Sequence, residues 1–133
     1  MIIKQVSVFL ENRSGRINEV TKILGANGIN MIAFSMAENP DFGILRMIVS
    51  DNDKAVEALR AGKFAVSVND VISLSIPNMP GALSKVMEIL AAKGIFIEYM
   101  YAFAKGDTGN SAEIVIRPTY VDRCQVVLTE NGF

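Results

Sequence analysis

Apolar and polar residues alternate over residues 4–10, with Val6, Val8 and Leu10 on one face and Gln5 and Ser7 on the other. That is the period of a half-buried strand. The alternation returns over residues 71–76, where Ile72, Leu74 and Ile76 share one face and Ser73 takes the other. A tight turn follows each strand, Asn12-Arg13-Ser14-Gly15 and Asn78-Met79-Pro80-Gly81. Helical spacing comes next: Ile17, Val20, Ile23 and Leu24, then Leu83, Val86, Ile89 and Leu90. Asn27-Gly28 and Lys93-Gly94 end these helices with a glycine suited to the left-handed position after the cap. A pair of strands follows in each case, 30–37 with 44–49 and 96–103 with 112–117. The turn signals Asn39-Pro40-Asp41 and Lys105-Gly106-Asp107 separate them. Further helices are predicted over about 53–61 and 121–130, and a short strand over 65–68.

The chain repeats itself. A shift of 66 positions superposes Asn12, Gly15, Val20, Ile23, Leu24, Ala26, Gly28 and Ile29 on identical residues. Two units are therefore expected, residues 1–69 and 70–133, each βαββαβ. This is the α+β, ferredoxin-like plan, an antiparallel sheet with helices on one face. Leu59 and Phe64 match Leu128 and Phe133 once three extra residues in the second hairpin are allowed for. The second unit is thus expected to lack its final strand, either because the chain is cut short or because the unit naturally has five elements. Residues 96–103 are apolar on both sides, so a partner for the second sheet face is expected. The link Asn69-Asp70 is too short to leave the units much freedom.

Composition narrows the chemistry. Thirteen basic and 14 acidic side chains give a net charge of −1, without the basic excess that nucleic acid binding requires. Absence of histidine removes the commonest general base and metal ligand, and no nucleophile–base pair stands out, so a non-enzyme without cofactor or metal is expected. Cys124, the lone cysteine, aligns with Ala55 on the inner face of a helix and reads as a buried structural thiol. Hydrophobic residues make up 50% of the chain. Units this small cover apolar surface poorly, so a homodimer or larger homo-oligomer is expected. No apolar run is long enough to cross a membrane and no leader pattern opens the chain, which places it in the cytoplasm.

Asn78-Met79-Pro80-Gly81-Ala82-Leu83 with Gly94-Ile95-Phe96-Ile97, and Asn12-Arg13-Ser14-Gly15-Arg16-Ile17 with Gly28-Ile29-Asn30-Met31, resemble the ACT-domain signature Asn-x-Pro-Gly-x-Leu and Gly-Ile-Asn-Ile. The whole chain is similar to small stand-alone bacterial proteins of two tandem ACT domains. The resemblance implies a regulatory protein that binds an effector amino acid between paired domains, against this turn and a facing strand. The residues so implied are Asn12, Arg13, Ser14, Gly15, Arg16, Ile17, Asn30 and Met31 in one half. In the other they are Asn78, Met79, Pro80, Gly81, Ala82, Leu83, Tyr99 and Met100. Ser14 replaces the family's proline and Phe96 its asparagine, so the two sites are unequal.

The turn suits that role physically. A helix start leaves backbone N–H groups unpaired at the positive end of its dipole, which favours a carboxylate. Gly15 and Gly81 permit close approach, and the Asn12 and Asn78 amides address both ends of a zwitterion. Arg13 and Arg16 add cations beside Gly15. A purely structural reading stands beside this one, with asparagine shaping the turn and Ser14 capping the helix. A regulatory or structural subunit of an amino-acid biosynthetic enzyme, without a ligand of its own, is the alternative function.

Overall fold

In the computed structural model, which describes residues 1–11, 13–104 and 109–133, the chain divides into two compact units. Asn12 and the turn signal Lys105-Gly106-Asp107 lie outside the described residues. The first unit is Lys4–Asn69, and the second is Asp70–Phe133 together with Met1–Ile3.

In the first unit β1 (Ile2–Glu11) leads to α1 (Arg16–Ala26), β2 (Met31–Glu38), β3 (Phe42–Val49) and α2 (Asn52–Ala61). β4 (Ala65–Pro77) then closes it, and the strands lie in the order β2-β3-β1-β4. β1 and β3 pair antiparallel from Val6 opposite Met47 to Glu11 opposite Phe42. That register puts Val6, Val8, Leu10, Leu45, Met47 and Val49 on one face, where they are buried against Val20 and Leu24 of α1 and Ala55 and Leu59 of α2. On the other face Phe9 and Phe42 are exposed, and at the sheet edge Phe34 (62%) and Met36 of β2, beside Met47 and Leu45, are exposed as well.

The second unit repeats the plan with α3 (Ala82–Ala92), β5 (Ile97–Ala104), β6 (Ser111–Pro118) and α4 (Val121–Glu130), its strands in the order β4-β6-β5. Ile72, Leu74, Ile76, Ile114 and Ile116 form the inner face, covered by Val86 and Leu90 of α3 and Cys124 and Leu128 of α4. Among the described residues β5 pairs with β6 alone. Met100 and Ala102, beside Ile116 and Ile114, are exposed at this sheet edge, so in this chain the strand is not buried on both sides as its composition suggests.

One expectation needs correction. Residues 65–68 and 71–76 are one continuous strand, and Asn69-Asp70 is part of it. No glycine or internal proline interrupts the alternation, and the polar pair finds partners in place. Ser7 Oγ donates to Asn69 Oδ1 at 3.0 Å, and the Arg117 guanidinium donates to the Asp70 carbonyl. As expected, no strand follows α4 among the described residues, and the start of the chain takes the place beside β4 in the second unit. The Met1 amine donates to the Ser73 carbonyl at 2.9 Å, and the Ser73 N–H returns a bond to the Met1 carbonyl at 2.8 Å. This reciprocal pair is an antiparallel ladder step, so the start of the chain pairs with the β4 segment of the second unit.

Candidate functional site

Gly15 and Gly81 stand at the starts of α1 and α3 with φ of 88° and 86°. Left-handed backbone of this kind is strained for any residue with a Cβ, and glycine takes it freely. Both turns close the same way. Arg13 N–H bonds the Glu11 carbonyl at 2.7 Å and Met79 N–H the Pro77 carbonyl at 3.0 Å. The Gly15 and Gly81 carbonyls then accept the first helical bonds, from Glu19 and Lys85. No side chain caps either helix, so Ser14 does not serve as the cap. An ideal Cβ on either glycine would meet nothing within 4 Å, which leaves the space above the turn open to a ligand.

The first turn borders a cleft of about 110 Å³ lined by Leu10, Glu11, Arg13, Arg16, Ile17, Met36, Glu38 and Gly43. Hairpin register explains who meets whom. Leu10 lies opposite Gly43 and Glu38 also lies opposite Gly43, so the end of β2 comes beside the turn. Arg16 is not the solvated loop arginine that its position suggests. It is 9% exposed, with its guanidinium carbon 4.1 Å from the centre of the Phe64 ring. Its Nη1 donates to Glu19 Oε2 at 2.7 Å, and Nη2 lies 3.8 Å from Glu11 Oε1. Stacking and ion pairing offset the cost of a cation at the positive end of a helix dipole. Arg13, in contrast, is exposed, its Nε 3.6 Å from Glu11.

Among the sequence-predicted residues, Arg13, Arg16 and Ile17 line the cleft, with Ser14 and Gly15 in the turn itself. Asn30 and Met31 are elsewhere. Met31 pairs with Val49, and Asn30 exchanges bonds with Ser50 at 2.9 and 3.0 Å. At about 3.3 Å per residue, Asn30 is some 20 Å along the strand from Met36. In the second unit the Asn78 Nδ2 donates to the Gly109 carbonyl at 3.2 Å, so its amide braces the neighbouring hairpin. Met79, Pro80, Gly81, Ala82 and Leu83 form the equivalent turn, with Met79 63% exposed. Tyr99 and Met100 pair with Arg117 and Ile116, away from that turn along β5. Phe96, the counterpart of Asn30, joins Gly94, Ile95, Thr119, Tyr120 and Arg123 around a separate cleft of about 140 Å³.

Glu11, Glu38, Met36 and the supporting Phe64 are the residues that sequence reasoning missed. Glu19, three positions after Arg16, was the one local signal of a placed arginine. Among the described residues, no group of histidine, cysteine and carboxylates is arranged to hold a metal ion, and no helix is long and apolar enough to cross a membrane.

Comparison with known proteins agrees with this architecture. The family model for an ACT domain pair matches residues 1–133. The crystal structure of protein BT0572 from Bacteroides thetaiotaomicron is 55% identical over 98% of this chain and 89% of that one, with a TM-score of 0.92. The regulatory subunit of aspartate kinase from Thermus thermophilus, in its ligand-free form, shares the fold at 15% identity. Its TM-score is 0.68, over 100% of this chain and 96% of that one. The corresponding Thermus flavus subunit gives a TM-score of 0.63 at 16% identity, over 98% and 94% of the two chains. None of the curated proteins matches in sequence.

Proposed function

This chain belongs to the ACT domain pair family, and from that premise we propose that it is a non-catalytic regulatory protein that senses an amino acid in the cytoplasm. One observation carries the reading. The glycine turn leads into a helix whose first amides are capped by no side chain, directly beside a cleft with charges of both signs. Unpaired amides at a helix start attract a carboxylate, and the nearby carboxylates attract an ammonium group. The protein works as a homo-oligomer, in which Asn30, Met31, Tyr99 and Met100 reach a ligand held by the turn of a second copy. Binding favours one arrangement of that assembly, and a catalytic chain of amino-acid biosynthesis reads the arrangement. Similarity in fold to aspartate kinase regulatory subunits supports this kind of partnership.

A second reading has its own support: a partner-binding subunit without a ligand, for which the exposed Ile32, Phe34 and Met36 on β2 would be the contact surface. Thermal unfolding with each of the twenty amino acids separates the two. A ligand at a hundredfold excess over Kd stabilises the native state by about 2.7 kcal/mol, a rise of several degrees in Tm. Sensing predicts such a rise with one or a few amino acids, abolished by Gly15→Val. No rise with any of the twenty would eliminate sensing.

A further inference from the structure

The cleft of the first unit differs from its repeat counterpart chiefly in charge. Glu11, Arg13, Arg16 and Glu38 line it, and 66 positions later those places hold Pro77, Met79, Ala82 and Ala104. Folding the turn does not require the charges, because the second turn closes with the same backbone bonds without them. Arg16 is the most telling of the four. Its Nε is buried and has no partner among the described residues. At 3.8 Å its Nη2 is beyond hydrogen-bond distance from Glu11. A buried guanidinium short of acceptors carries a cost that an incoming carboxylate relieves.

Glu38 is the complement. It is exposed at the end of β2 and its carboxylate has no partner among the described residues, so it is available to a cation. The rest of the lining is apolar: Leu10, Ile17, Met36 and Gly43. The four charges of the lining are two cations and two carboxylates, with Glu19 held outside it by Arg16 Nη1, so the cleft offers a zwitterion one partner of each sign and its remaining surface to an apolar side chain. Resting on the sensing reading above, we infer that this cleft binds one α-amino acid with an apolar side chain per chain. The carboxylate lies on Arg16, Arg13 and the first amides of α1, the ammonium on Glu38 and Glu11, and the side chain along Leu10, Ile17 and Met36. The second turn, without the charges, is not an equivalent site.

Isothermal titration calorimetry on the full chain tests this with L-leucine, L-valine, L-methionine and L-alanine as probes. L-Aspartate and L-lysine serve as comparisons, as do 4-methylpentanoate, which lacks the ammonium, and 3-methylbutylamine, which lacks the carboxylate. The expected result is binding of an apolar probe at a single site per chain, with every comparison compound weaker by about tenfold or more. Glu38→Gln and Arg13→Gln are surface changes that leave the fold intact, and each should weaken binding by a similar factor. Arg16→Met, which keeps the apolar contact with Phe64, should abolish binding, and Met79→Gln should leave it unchanged. Two sites per chain, unaltered affinity in Glu38→Gln, or binding of L-aspartate or L-lysine alone overturns the inference and leaves amino-acid sensing standing. Silence with all twenty amino acids overturns both.

Discussion

Lys63 has φ of 67°, the sole positive value at a residue other than glycine among the described residues. It ends α2 with a pair of bonds, Lys63 N–H to the Arg60 carbonyl at 2.9 Å and Phe64 N–H to the Leu59 carbonyl at 3.0 Å, a pattern repeated at Gly28, Gly94 and Gly132. Those three helices use glycine at this position, and lysine pays the strain of a Cβ in left-handed backbone. Lys63→Gly should therefore raise stability by about 1 kcal/mol, seen as a higher urea midpoint with unchanged slope. Cys124 behaves as its buried position demands. Burial pushes its thiol above the ordinary range, so the folded state holds the proton more tightly than the unfolded chain. The associated stability is present below the unfolded thiol value of about 8.5 and is lost as pH rises through the higher folded value. Melting curves between pH 8 and 10.5 should thus fall more steeply for the native chain than for Cys124→Ala. At this scale the sequence was partly legible. Gly15 announces its own backbone, since a turn before an amphipathic helix calls for it. The burial of Arg16 does not, because Phe64 reaches it from the far end of the unit.

Equivalent helices of the two units start differently. Asp51 caps α2, its carboxylate accepting from the Lys54 N–H at 3.1 Å, and the corresponding place in α4 is held by Tyr120, which caps nothing. Asp51→Ala should cost about 1 kcal/mol, and Tyr120→Asp should add a comparable amount, both readable in denaturant midpoints. The helices were the most legible elements, because a 3.6-residue apolar period bounded by a glycine has few other readings. α4 was read with its observed ends, Val121–Glu130. β4 was misread as two strands because Asn69-Asp70 has the composition of a turn. What makes it strand is tertiary: the Ser7 hydroxyl and the Arg117 guanidinium take up the polar groups. The cleft was hidden for a related reason. Glu38 and Met36 reach the turn through hairpin register, and register cannot be read from either strand alone.

At the scale of the whole chain, the repeat was legible because two copies of one motif sit 66 positions apart, and the ACT domain pair follows from it. The contribution of Met1–Ile3 to the second unit was not legible, since those residues continue the apolar run of β1 without a break. Removing residues 1–3 should accordingly loosen the second unit more than the first. Hydrogen exchange at the Ser73 amide, which now donates to Met1, is the place to see it. Ligand sensing is the claim on which the functional account rests, and backbone amide chemical shifts test it most directly. With saturating L-leucine, or whichever apolar amino acid binds best, the account predicts the largest changes at Arg16, Ile17 and Asn18 and at Met36–Glu38. No shift at any amide with any of the twenty amino acids would contradict it, and shifts confined to the Met79–Leu83 turn would contradict the placing of the ligand in the first unit.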